Sequence, residues 1–325
     1  MTAQANASLR ELSYYKTGGT CRALYLPETI DESSAAISEI AASGAPLLII
    51  GGGTNSLVTD EYWDGAVVGL HRMTGVGERD GRVICEGGVD NTSLAKFALE
   101  RGLAGVEFMN RLPGQIGGTV RMNARCYGGE MSQVVTGITT VSRDGDVRLW
   151  QSGGVFRGYK DTVFMENGHL VVGCEFSLVP GDRAEISEKM RHCEDDRIAK
   201  HQFDFPSCGC VYKNDYQVGV SSGVLLEKAG VKAFAVGGAS VSPWHANFVF
   251  NRGASARDIL DLTLKMRDAV WDCFGVWLEY EMELLGRAPP ELESRLKEKR
   301  PHAFKQNLLE PLREEFARPK QKISY

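Results

Sequence analysis

The stretch Leu-Leu-Ile-Ile-Gly-Gly-Gly-Thr-Asn-Ser-Leu-Val, residues 47–58, begins with four large apolar residues and runs directly into three glycines. A short apolar run bounded by turn residues predicts a buried strand over 47–50 and a loop over 51–56. The next residues contain a turn at Asp64-Gly65 and another apolar run, so this loop joins strand to strand. A dinucleotide-binding fingerprint needs glycines that open a helix, and a P-loop needs Gly-Lys-Ser/Thr. The loop therefore predicts neither a dinucleotide-binding fingerprint nor a P-loop.

The densest glycine region is Leu-Pro-Gly-Gln-Ile-Gly-Gly-Thr-Val-Arg-Met-Asn-Ala-Arg-Cys-Tyr-Gly-Gly-Glu-Met, residues 112–131. Successive backbone N–H groups without an obstructing Cβ can form a nest that binds an anion closely. Thr54, Asn55 and Ser56 add side-chain donors to the first loop. Either loop alone is equally consistent with a tight turn between strands. The two together indicate a long ligand that carries a pyrophosphate.

The rest of the chain combines helix and strand patterns without an internal repeat. Helices are predicted over 91–101, about 184–200 and 255–274, and a hairpin turn is predicted at Asp144-Gly145. The run over 278–286 alternates apolar residues with glutamates, which predicts a strand. We therefore expect an α+β fold with breaks near residues 75 and 200.

The 325 residues carry a net charge of −5 at pH 7, and the pI is near 5.8. At roughly 100–200 residues per domain, this length predicts two or three domains. Without a basic excess we expect no nucleic-acid partner. The segment after Gly286 differs, because it has ten Lys/Arg against six Asp/Glu. It lacks interleaved aromatic residues, so we expect a solvated, basic helical tail over 288–325.

The N-terminus contains no apolar stretch of signal-peptide length, and no window reaches the roughly 18 apolar residues of a membrane span. We therefore expect a cytoplasmic protein without a membrane partner. The sequence leaves the oligomeric state open. Eight cysteines are scattered without a Cys-x-x-Cys spacing, which in a reducing compartment indicates free thiols.

Two of these cysteines, Cys208 and Cys210, lie in the small-residue turn Ser-Cys-Gly-Cys-Val-Tyr-Lys-Asn-Asp, residues 207–215. They are candidates for metal binding, a disulfide, packing or proton donation. Cys-x-Cys alone supplies too few ligands for zinc, and no other His or Cys has zinc-like spacing, so we expect no metal site. Of the two thiols, we expect Cys208 to be a packed side chain.

Six blocks of sequence, in their order and approximate spacing, resemble the UDP-N-acetylenolpyruvoylglucosamine reductase (MurB) family. The resemblance covers roughly residues 12–286. It implies an FAD-binding, two-domain fold of the vanillyl-alcohol-oxidase type with a C-terminal α+β substrate-binding domain, as in the shorter, type II branch. The blocks are IIGGGTNSLV (49–58), LPGQIGGTVRMNARCYGGEM (112–131), GYKDTVF (158–164), PSCGCVYKN (206–214), WHANFVFNRGASARDIL (244–260) and LEYEMELLG (278–286).

This resemblance implies FAD as the cofactor and NADPH as the hydride donor. It divides the chain into a first FAD-binding subdomain over 1–75, a second over 76–199, a substrate-binding domain over 200–287 and the tail over 288–325. By motif position, the implied cofactor-binding residues are Gly51, Gly52, Gly53, Thr54, Asn55, Ser56, Pro113, Gly114, Gly117, Gly118, Thr119, Asn123 and Tyr127.

The implied activity is reduction of UDP-N-acetylglucosamine enolpyruvate to UDP-N-acetylmuramate in peptidoglycan precursor synthesis. Hydride addition at C3 leaves carbanion character at C2, which must be stabilised and protonated. The family's proton donor corresponds to Cys210, and a thiol with a reference pKa of about 8.5 is mostly protonated at neutral pH. The charge stabilisers correspond to Lys160 and Glu281. The implied substrate-binding residues are Tyr159, Lys213, Asn214, His245 and Asn247.

Several positions depart from the family's pattern. Lys160 replaces an arginine and lacks the planar fork that grips a carboxylate with two bonds. Arg125 stands where a flavin-side loop is usually small, and His201-Gln202 and Asn214-Asp215 replace Gln-Pro and Asn-Pro. These departures keep two alternatives open. One is an FAD-dependent oxidoreductase of the same scaffold with another substrate, and the other is a catalytically degenerate protein that binds flavin or a nucleotide sugar.

Overall fold

The computed structural model of the chain describes residues 2–317. Its residues form two compact units, which we describe separately. Unit 1 comprises the residues up to Leu12, Thr20–Thr54 and Tyr62–Ala199, and unit 2 comprises Ser13–Gly19, Asn55–Glu61 and the residues from Lys200 onward.

Helices and strands are interspersed along the chain, and no helix within residues 2–317 is both long and apolar enough to cross a membrane. The helices are α1 (Ile30–Ser43), α2 (Asn91–Glu100), α3 (Ile116–Arg121), α4 (Val163–Asn167), α5 (Arg183–Ala199), α6 (Ser222–Lys228), α7 (Ala256–Phe274), α8 (Pro290–Lys297) and α9 (Gln306–Ala317). The strands are β1 (Gln4–Ser8), β2 (Thr20–Tyr25), β3 (Leu47–Ile50), β4 (Ser56–Val58), β5 (Trp63–Gly69), β6 (Val76–Arg79), β7 (Arg82–Glu86), β8 (Leu103–Ala104), β9 (Arg125–Cys126), β10 (Gly129–Glu130), β11 (Val135–Val141), β12 (Val147–Gln151), β13 (Phe156–Gly158), β14 (Asp161–Thr162), β15 (Leu170–Phe176), β16 (Val179–Pro180), β17 (Ala235–Val236), β18 (Ala239–Val241), β19 (Val249–Asn251) and β20 (Glu283–Leu285).

The first sheet of unit 1 has the strand order β1-β2-β5-β3. β1 and β2 are antiparallel, whereas β5 runs parallel to both β2 and β3. The hydroxyl of Thr29 caps α1 by accepting a hydrogen bond from the Glu32 amide, and Gly44 ends the helix at a φ of 67°. The buried face of α1, including Ile37 and Ile40, packs into the core of this sheet. β3 confirms the strand predicted over 47–50 and leads into the first glycine loop.

The second sheet of unit 1 is antiparallel throughout, with the order β12-β11-β15-β7-β6. The predicted turn at Asp144-Gly145 connects β11 to β12, and Gly145 adopts a φ of 96°. Apolar residues of α2, α3 and α5, such as Leu94, Ile116 and Ile186, share one buried core with this sheet. This core supports α3, which lies within the second glycine region.

Unit 2 contains an antiparallel sheet, β17-β18-β19, and a separate parallel pair, β4 and β20. The predicted helix over 255–274 is confirmed by α7. Ser255 and Asp258 form a reciprocal capping box at its start, and Gly275 ends it at a φ of 66°. The final strand is shorter than predicted. Only Glu283–Leu285 is regular strand, because its partner β4 has three residues.

An N-terminal segment, residues 13–19, completes the core of unit 2 through Tyr15. This side chain is fully buried. Its hydroxyl donates to the Val249 carbonyl at 3.0 Å, and the Tyr15 carbonyl accepts from the Asn251 side chain at 2.7 Å. Burial raises the pKa of Tyr15 well above its usual value, so the phenol remains a donor at neutral pH.

The residues after Gly286 form a packed part of unit 2. We call residues 287–317 the C-terminal extension. Leu292 and Leu309, on α8 and α9, lie in the same core as α7. The Ala303 amide donates to the Gly275 carbonyl at 2.7 Å, and a Cβ built on Gly275 would lie 1.8 Å from the Ala303 oxygen, so only glycine permits this contact.

Helices α8 and α9 agree with the predicted helical tail, and most of their residues are exposed, but Leu292 and Leu309 are buried in the core of unit 2. The charge count was misleading because the few apolar residues of α8 and α9 are grouped on the faces that contact unit 2. Residues 318–325 lie outside the described residues. The predicted domain boundaries at 75, 199 and 287 stay predictions.

We expect Leu309→Ala to lower the free energy of unfolding by about 2–4 kcal/mol, since it removes a fully buried side chain and leaves a cavity. The adjacent Leu308 is 45% exposed and provides the matched control. Leu308→Ala should change the free energy by no more than about 0.5 kcal/mol. Chemical denaturation of both variants measures the difference, and equal effects would contradict a packed extension.

Candidate active site

Two glycine segments of unit 1 approach each other closely. The first glycine segment comprises residues 51–54, and the second comprises residues 113–119. A Cβ built on Gly52 would lie 3.2 Å from the Cα of Gly114, and one built on Gly114 would lie 2.9 Å from Oγ1 of Thr54. Gly114 also adopts a φ of 128°. Glycine is therefore required where the two backbones meet.

Asn91, at the start of α2, holds the second glycine segment in place. The side chain is fully buried. Its backbone amide donates to the Gly114 carbonyl at 3.1 Å, its Nδ2 donates to the Leu112 carbonyl at 3.3 Å, and its Oδ1 accepts from the Thr119 hydroxyl at 2.9 Å. The N-cap of α2 is Asp90, whose side chain accepts from the Thr92 and Ser93 amides. Asn91 instead fixes the loop that precedes α3.

Polar groups of both segments remain without protein partners. Among residues 2–317, no protein acceptor receives a hydrogen bond from the backbone amides of 51–54. Gln115 Oε1 is buried without a hydrogen-bond partner in the same part of the chain. A Cβ built on Gly118 would meet no atom within 4 Å. An extended ligand with anionic groups and some N–H or O–H donors would satisfy these groups.

Asn123 connects this region to the turn that contains Lys160. Its Nδ2 donates to the Gly158 carbonyl at 3.0 Å and to the Glu130 carboxylate, and its Oδ1 accepts from the Ser132 amide at 3.1 Å. The residue adopts a φ of 47°, a conformation that asparagine tolerates better than most residues. Asn123 thereby fixes the turn over 158–160.

Lys160 lies in the tight turn between β13 and β14, after the half-buried Tyr159. It adopts a φ of 54° and is only 9% exposed. Burial raises the pKa of the Cys126 thiol, whereas the charges of Arg197 and Lys160 lower it. A buried ammonium is costly unless acceptors or a counter-charge surround it. The turn therefore holds a cation within reach of residue 126.

Tyr127 and Arg125 contact neighbouring groups of unit 1. The Tyr127 hydroxyl donates to Asp196 at 2.7 Å, and its ring faces the Arg197 guanidinium at 4.9 Å. Burial and the bond to Asp196 raise the pKa of Tyr127. Arg125 is exposed, and its Nε lies 3.9 Å from the Glu130 carboxylate. An arginine at position 125 is thus accommodated at the surface of unit 1.

In unit 2, Cys210 lies on an extended segment that is hydrogen-bonded along both edges. Cys210 forms a β-bridge with Phe248. The Val211 amide donates to the Asn247 carbonyl at 2.9 Å, and the Val211 carbonyl accepts from the Glu281 amide at 2.8 Å. The half-exposed Cys210 and the half-buried Glu281 therefore lie on neighbouring segments.

Asn247 extends one of these edges with its side chain. Its Oδ1 accepts from the Tyr212 amide at 3.0 Å, and its Nδ2 donates to the Tyr212 carbonyl at 2.8 Å. The side chain is buried, and both its polar groups bond the main chain of one residue. These contacts give Asn247 a positioning role for the Cys210 segment. The predicted contact with substrate stays a prediction.

Cys208 is more buried than Cys210. Burial raises the pKa of Cys208 to about 12, with smaller increases from Cys210 and Glu281. It is a packed, protonated thiol, as the sequence indicated. The electrostatic effect of Glu281 on this thiol indicates that the carboxylate lies near Cys208. The Glu281 carbonyl also accepts a hydrogen bond at 2.9 Å from the side chain of Asn55, which belongs to unit 2.

His245 is half-buried and neutral at pH 7, because burial lowers its pKa. Its Nδ1 accepts from the Asn247 amide at 3.2 Å, which leaves the ring proton on Nε2. A Cβ built on Gly223 would lie 3.3 Å from Cε1 of His245, so the glycine in the first turn of α6 makes room for the ring. The ring is therefore fixed with Nε2 as a donor.

Lys213 and Asn214 line a cavity of about 380 Å³ in unit 2. The Lys213 amide donates to the Glu279 carbonyl at 2.9 Å, and Asn214 Oδ1 accepts from the Ser222 amide at 2.9 Å. The C-terminal extension contributes Lys299, Arg300 and His302 to the lining of the same cavity.

Two models of known protein families match this chain, one in its N-terminal half and one in its C-terminal half. A family model described as an FAD binding domain matches residues 21–149, and one described as the C-terminal domain of UDP-N-acetylenolpyruvoylglucosamine reductase matches residues 201–285. The reductase of that name from Carboxydothermus hydrogenoformans is 35% identical, over 86% of this chain and 93% of that protein. The one from Latilactobacillus sakei is 33% identical, over 87% and 93%.

The chain belongs to the UDP-N-acetylenolpyruvoylglucosamine reductase family. The crystal structure of the reductase (MurB) from Thermus caldophilus matches with a TM-score of 0.75 at 28% identity, over 88% of this chain and all of that chain. These matches confirm the predicted FAD-binding fold and the C-terminal α+β domain. The family model ends at residue 285. It therefore does not include the C-terminal extension.

The reductase family's cofactor fits the two glycine segments. The amides of 51–54 suit pyrophosphate oxygens, and the buried Gln115 Oε1 suits an N–H or O–H group of FAD. The individual assignments, including Pro113, Gly117 and Thr119, stay predictions. Asn55 and Ser56 are grouped with unit 2, where β4 begins. No cluster of three or more His, Cys, Asp or Glu within residues 2–317 is arranged to hold a metal.

Two residues beside the predicted site residues were not singled out from the sequence. Gln115 is one, although a polar side chain at the centre of a glycine motif is itself a signal of ligand contact. Tyr15, whose side chain hydrogen-bonds Cys208 in unit 2, had no signal, because its partners Val249 and Asn251 lie more than 230 residues away.

We expect Gly118→Ala to lower FAD affinity by about 10-fold or more, because the added methyl group would enter the space proposed for the cofactor. The apoprotein should keep its unfolding midpoint, since the methyl group meets no protein atom. Titration of apoprotein with FAD, followed by fluorescence, gives the affinity.

Gly77→Ala is the matched control for this substitution. Gly77 also has open space at its Cβ position, but it lies on β6, outside both glycine segments. This variant should bind FAD as the unsubstituted chain does. Unchanged affinity in Gly118→Ala would remove the second glycine segment from the cofactor site.

Proposed function

We propose that this chain is an NADPH-dependent UDP-N-acetylmuramate dehydrogenase, which reduces UDP-N-acetylglucosamine enolpyruvate to UDP-N-acetylmuramate in peptidoglycan precursor synthesis. Family membership over 86% of the chain supports this activity. The observation that carries the residue assignments is the pairing of the Cys210 segment with the Glu281 segment. NADPH and nucleotide sugars are cytoplasmic metabolites, so we place the activity in the cytoplasm.

The reaction needs a hydride at C3 of the enolpyruvyl group and a proton at C2. Bound FAD would supply the hydride that it receives from NADPH. The protein must then supply the proton. We assign this to the Cys210 Sγ–H, because a thiol is protonated at neutral pH yet is far more acidic than an alcohol. The hydrogen bonds along both edges of its segment limit the movement of Sγ.

Lys160 and Glu281 are proposed to stabilise the negative charge that develops next to the substrate carboxylate. An ammonium pairs directly with that charge. A carboxyl group can contribute when it shares a proton with the substrate carboxylate, since the shared proton offsets the added electron density. The turn fixes the main chain at Lys160, and a hydrogen bond to the Val211 carbonyl fixes the main chain at Glu281.

Candidate substrate-binding side chains occur in each unit, and each is assigned from contacts within its own unit. In unit 2, His245 would donate from Nε2, and Lys213 would pair with an anionic part of the nucleotide sugar. In unit 1, Tyr159 precedes the Lys160 turn. The alternative of another substrate rested partly on Arg125. Its exposed position beside Glu130 removes that argument, because the residue requires no space in a flavin-side loop.

We expect Cys210→Ala to lower the rate of enolpyruvyl reduction by about 100-fold or more, the usual contribution of a general acid. Reduction of bound FAD by NADPH should keep its rate, because that step takes no proton from Cys210. Cys210→Ser should retain part of the activity. Anaerobic stopped-flow measurements follow the two half-reactions separately through flavin absorbance.

Cys208→Ala is the matched control, two residues away in the same segment. It should lower thermal stability, because Cys208 is buried, while leaving the ratio of the two half-reaction rates unchanged. If Cys210→Ala slows both half-reactions equally, the proton-donor assignment is wrong. If the unsubstituted protein binds FAD but never reoxidises with the enolpyruvyl nucleotide, the proposed activity itself is wrong.

A further inference from the structure

His302, in the C-terminal extension, bridges two segments of unit 2. Its Nδ1 accepts a hydrogen bond from the Trp277 amide at 3.1 Å, so a neutral ring carries its proton on Nε2. Nε2 lies 2.9 Å from Oδ2 of Asp215 and donates to it. The ring stacks on Phe304, with centroids 4.9 Å apart, and the side chain is only 20% exposed. The bridge is therefore packed as well as hydrogen-bonded.

By the resemblance in motif, Asn214-Asp215 occupies the place of an Asn-Pro pair, so aspartate replaces proline here. Proline fixes its own φ and restricts the preceding residue to extended conformations. Aspartate supplies neither constraint. In this chain, Asp215 Oδ1 accepts from the Gln217 amide at 2.8 Å, and its carbonyl accepts from the Val218 amide at 3.1 Å. The remaining carboxylate oxygen is held by His302.

The two bridged segments carry residues assigned to the substrate and the reaction. Asp215 directly follows Lys213 and Asn214. Trp277 leads into the segment that contains Glu279 and Glu281, and the Glu279 carbonyl accepts from the Lys213 amide. One imidazole ring thus connects the start of one segment with the end of the other. The family model stops at residue 285, so this connection is supplied by the extension.

We propose that His302 is a positioning residue that replaces the conformational restriction of the family's proline and holds Lys213 and Asn214 in the geometry that binds the nucleotide sugar. This inference rests on the proposed function for its substrate. Independently of the substrate, the hydrogen bond from His302 offsets the conformational freedom that aspartate, unlike proline, leaves at position 215.

His302→Ala should raise KM for the enolpyruvyl nucleotide by about 10-fold, the scale of one hydrogen bond to a charged group. The rate of FAD reduction by NADPH should not change. Adding Asp215→Pro to His302→Ala should restore KM, because the ring of proline restores the restriction directly. No described residue accepts a hydrogen bond from the Asp215 amide, so proline removes no bond from that position.

Lys305→Ala serves as the control in the same extension. The Lys305 ammonium donates to the Asp272 carbonyl, so its side chain takes no part in the bridge between Asp215 and Trp277. This variant should keep KM unchanged. Hydrogen exchange at the Val218 amide gives a readout that needs no substrate. We expect faster exchange in His302→Ala and near-normal exchange after Asp215→Pro is added, with FAD content and thermal midpoint recorded for every variant.

These measurements separate the two ideas. If the unsubstituted protein turns over the nucleotide but His302→Ala leaves KM unchanged, or Asp215→Pro fails to restore it in a folded protein, the positioning role is overturned. If the unsubstituted protein never turns over the nucleotide, the proposed function fails. The exchange rates at Val218 then decide alone whether His302 restricts this segment, and unchanged rates overturn the inference.

Discussion

The hydrogen-bonded strip from Cys210 to Lys213 is the constraint on which the proposed chemistry depends. Residues 210–212 are bonded on one edge to residues 247–248, and residues 211–213 are bonded on the other edge to residues 279–281. The Asn247 side chain provides two of these bonds, so one buried amide replaces a strand residue. A proton donor on a strip that was free to shift by an ångström would lose its alignment with the reacting carbon.

Local features of this fold could be predicted from the sequence because they depend on neighbours a few residues away. The start of α7 at Ser255, its end at Gly275 and the hairpin at Asp144-Gly145 follow from capping and turn chemistry. The glycine segments were identified as ligand loops for the same reason. The need for glycine in each loop can be recognised from neighbouring residues, although the close approach of Gly52 to Gly114 joins distant parts of the sequence.

Contacts between distant parts of the sequence could not be predicted. The final strand pairs with β4, more than 220 residues earlier, and the length of that partner limited it to three residues. The extension was misread because its net charge gave no information on which few residues were buried. For the candidate site, the identity of Cys210 came from its motif, whereas its hydrogen-bonded edges came from segments whose pairing no local pattern encodes. Asp215 and His302 show the same limitation, since neither residue suggests a partner 87 positions away.

The interleaved membership of the two units has a consequence for synthesis on the ribosome. The chain passes from one unit to the other after residues 12, 19, 54, 61 and 199. Tyr15 and β4 emerge early, yet the core that buries them is translated last. Both segments remain without the residues that pack against them while residues 62–199 are synthesised. A gene fragment that begins at residue 200 would therefore encode a domain that lacks Tyr15 and β4, which are part of its own interior.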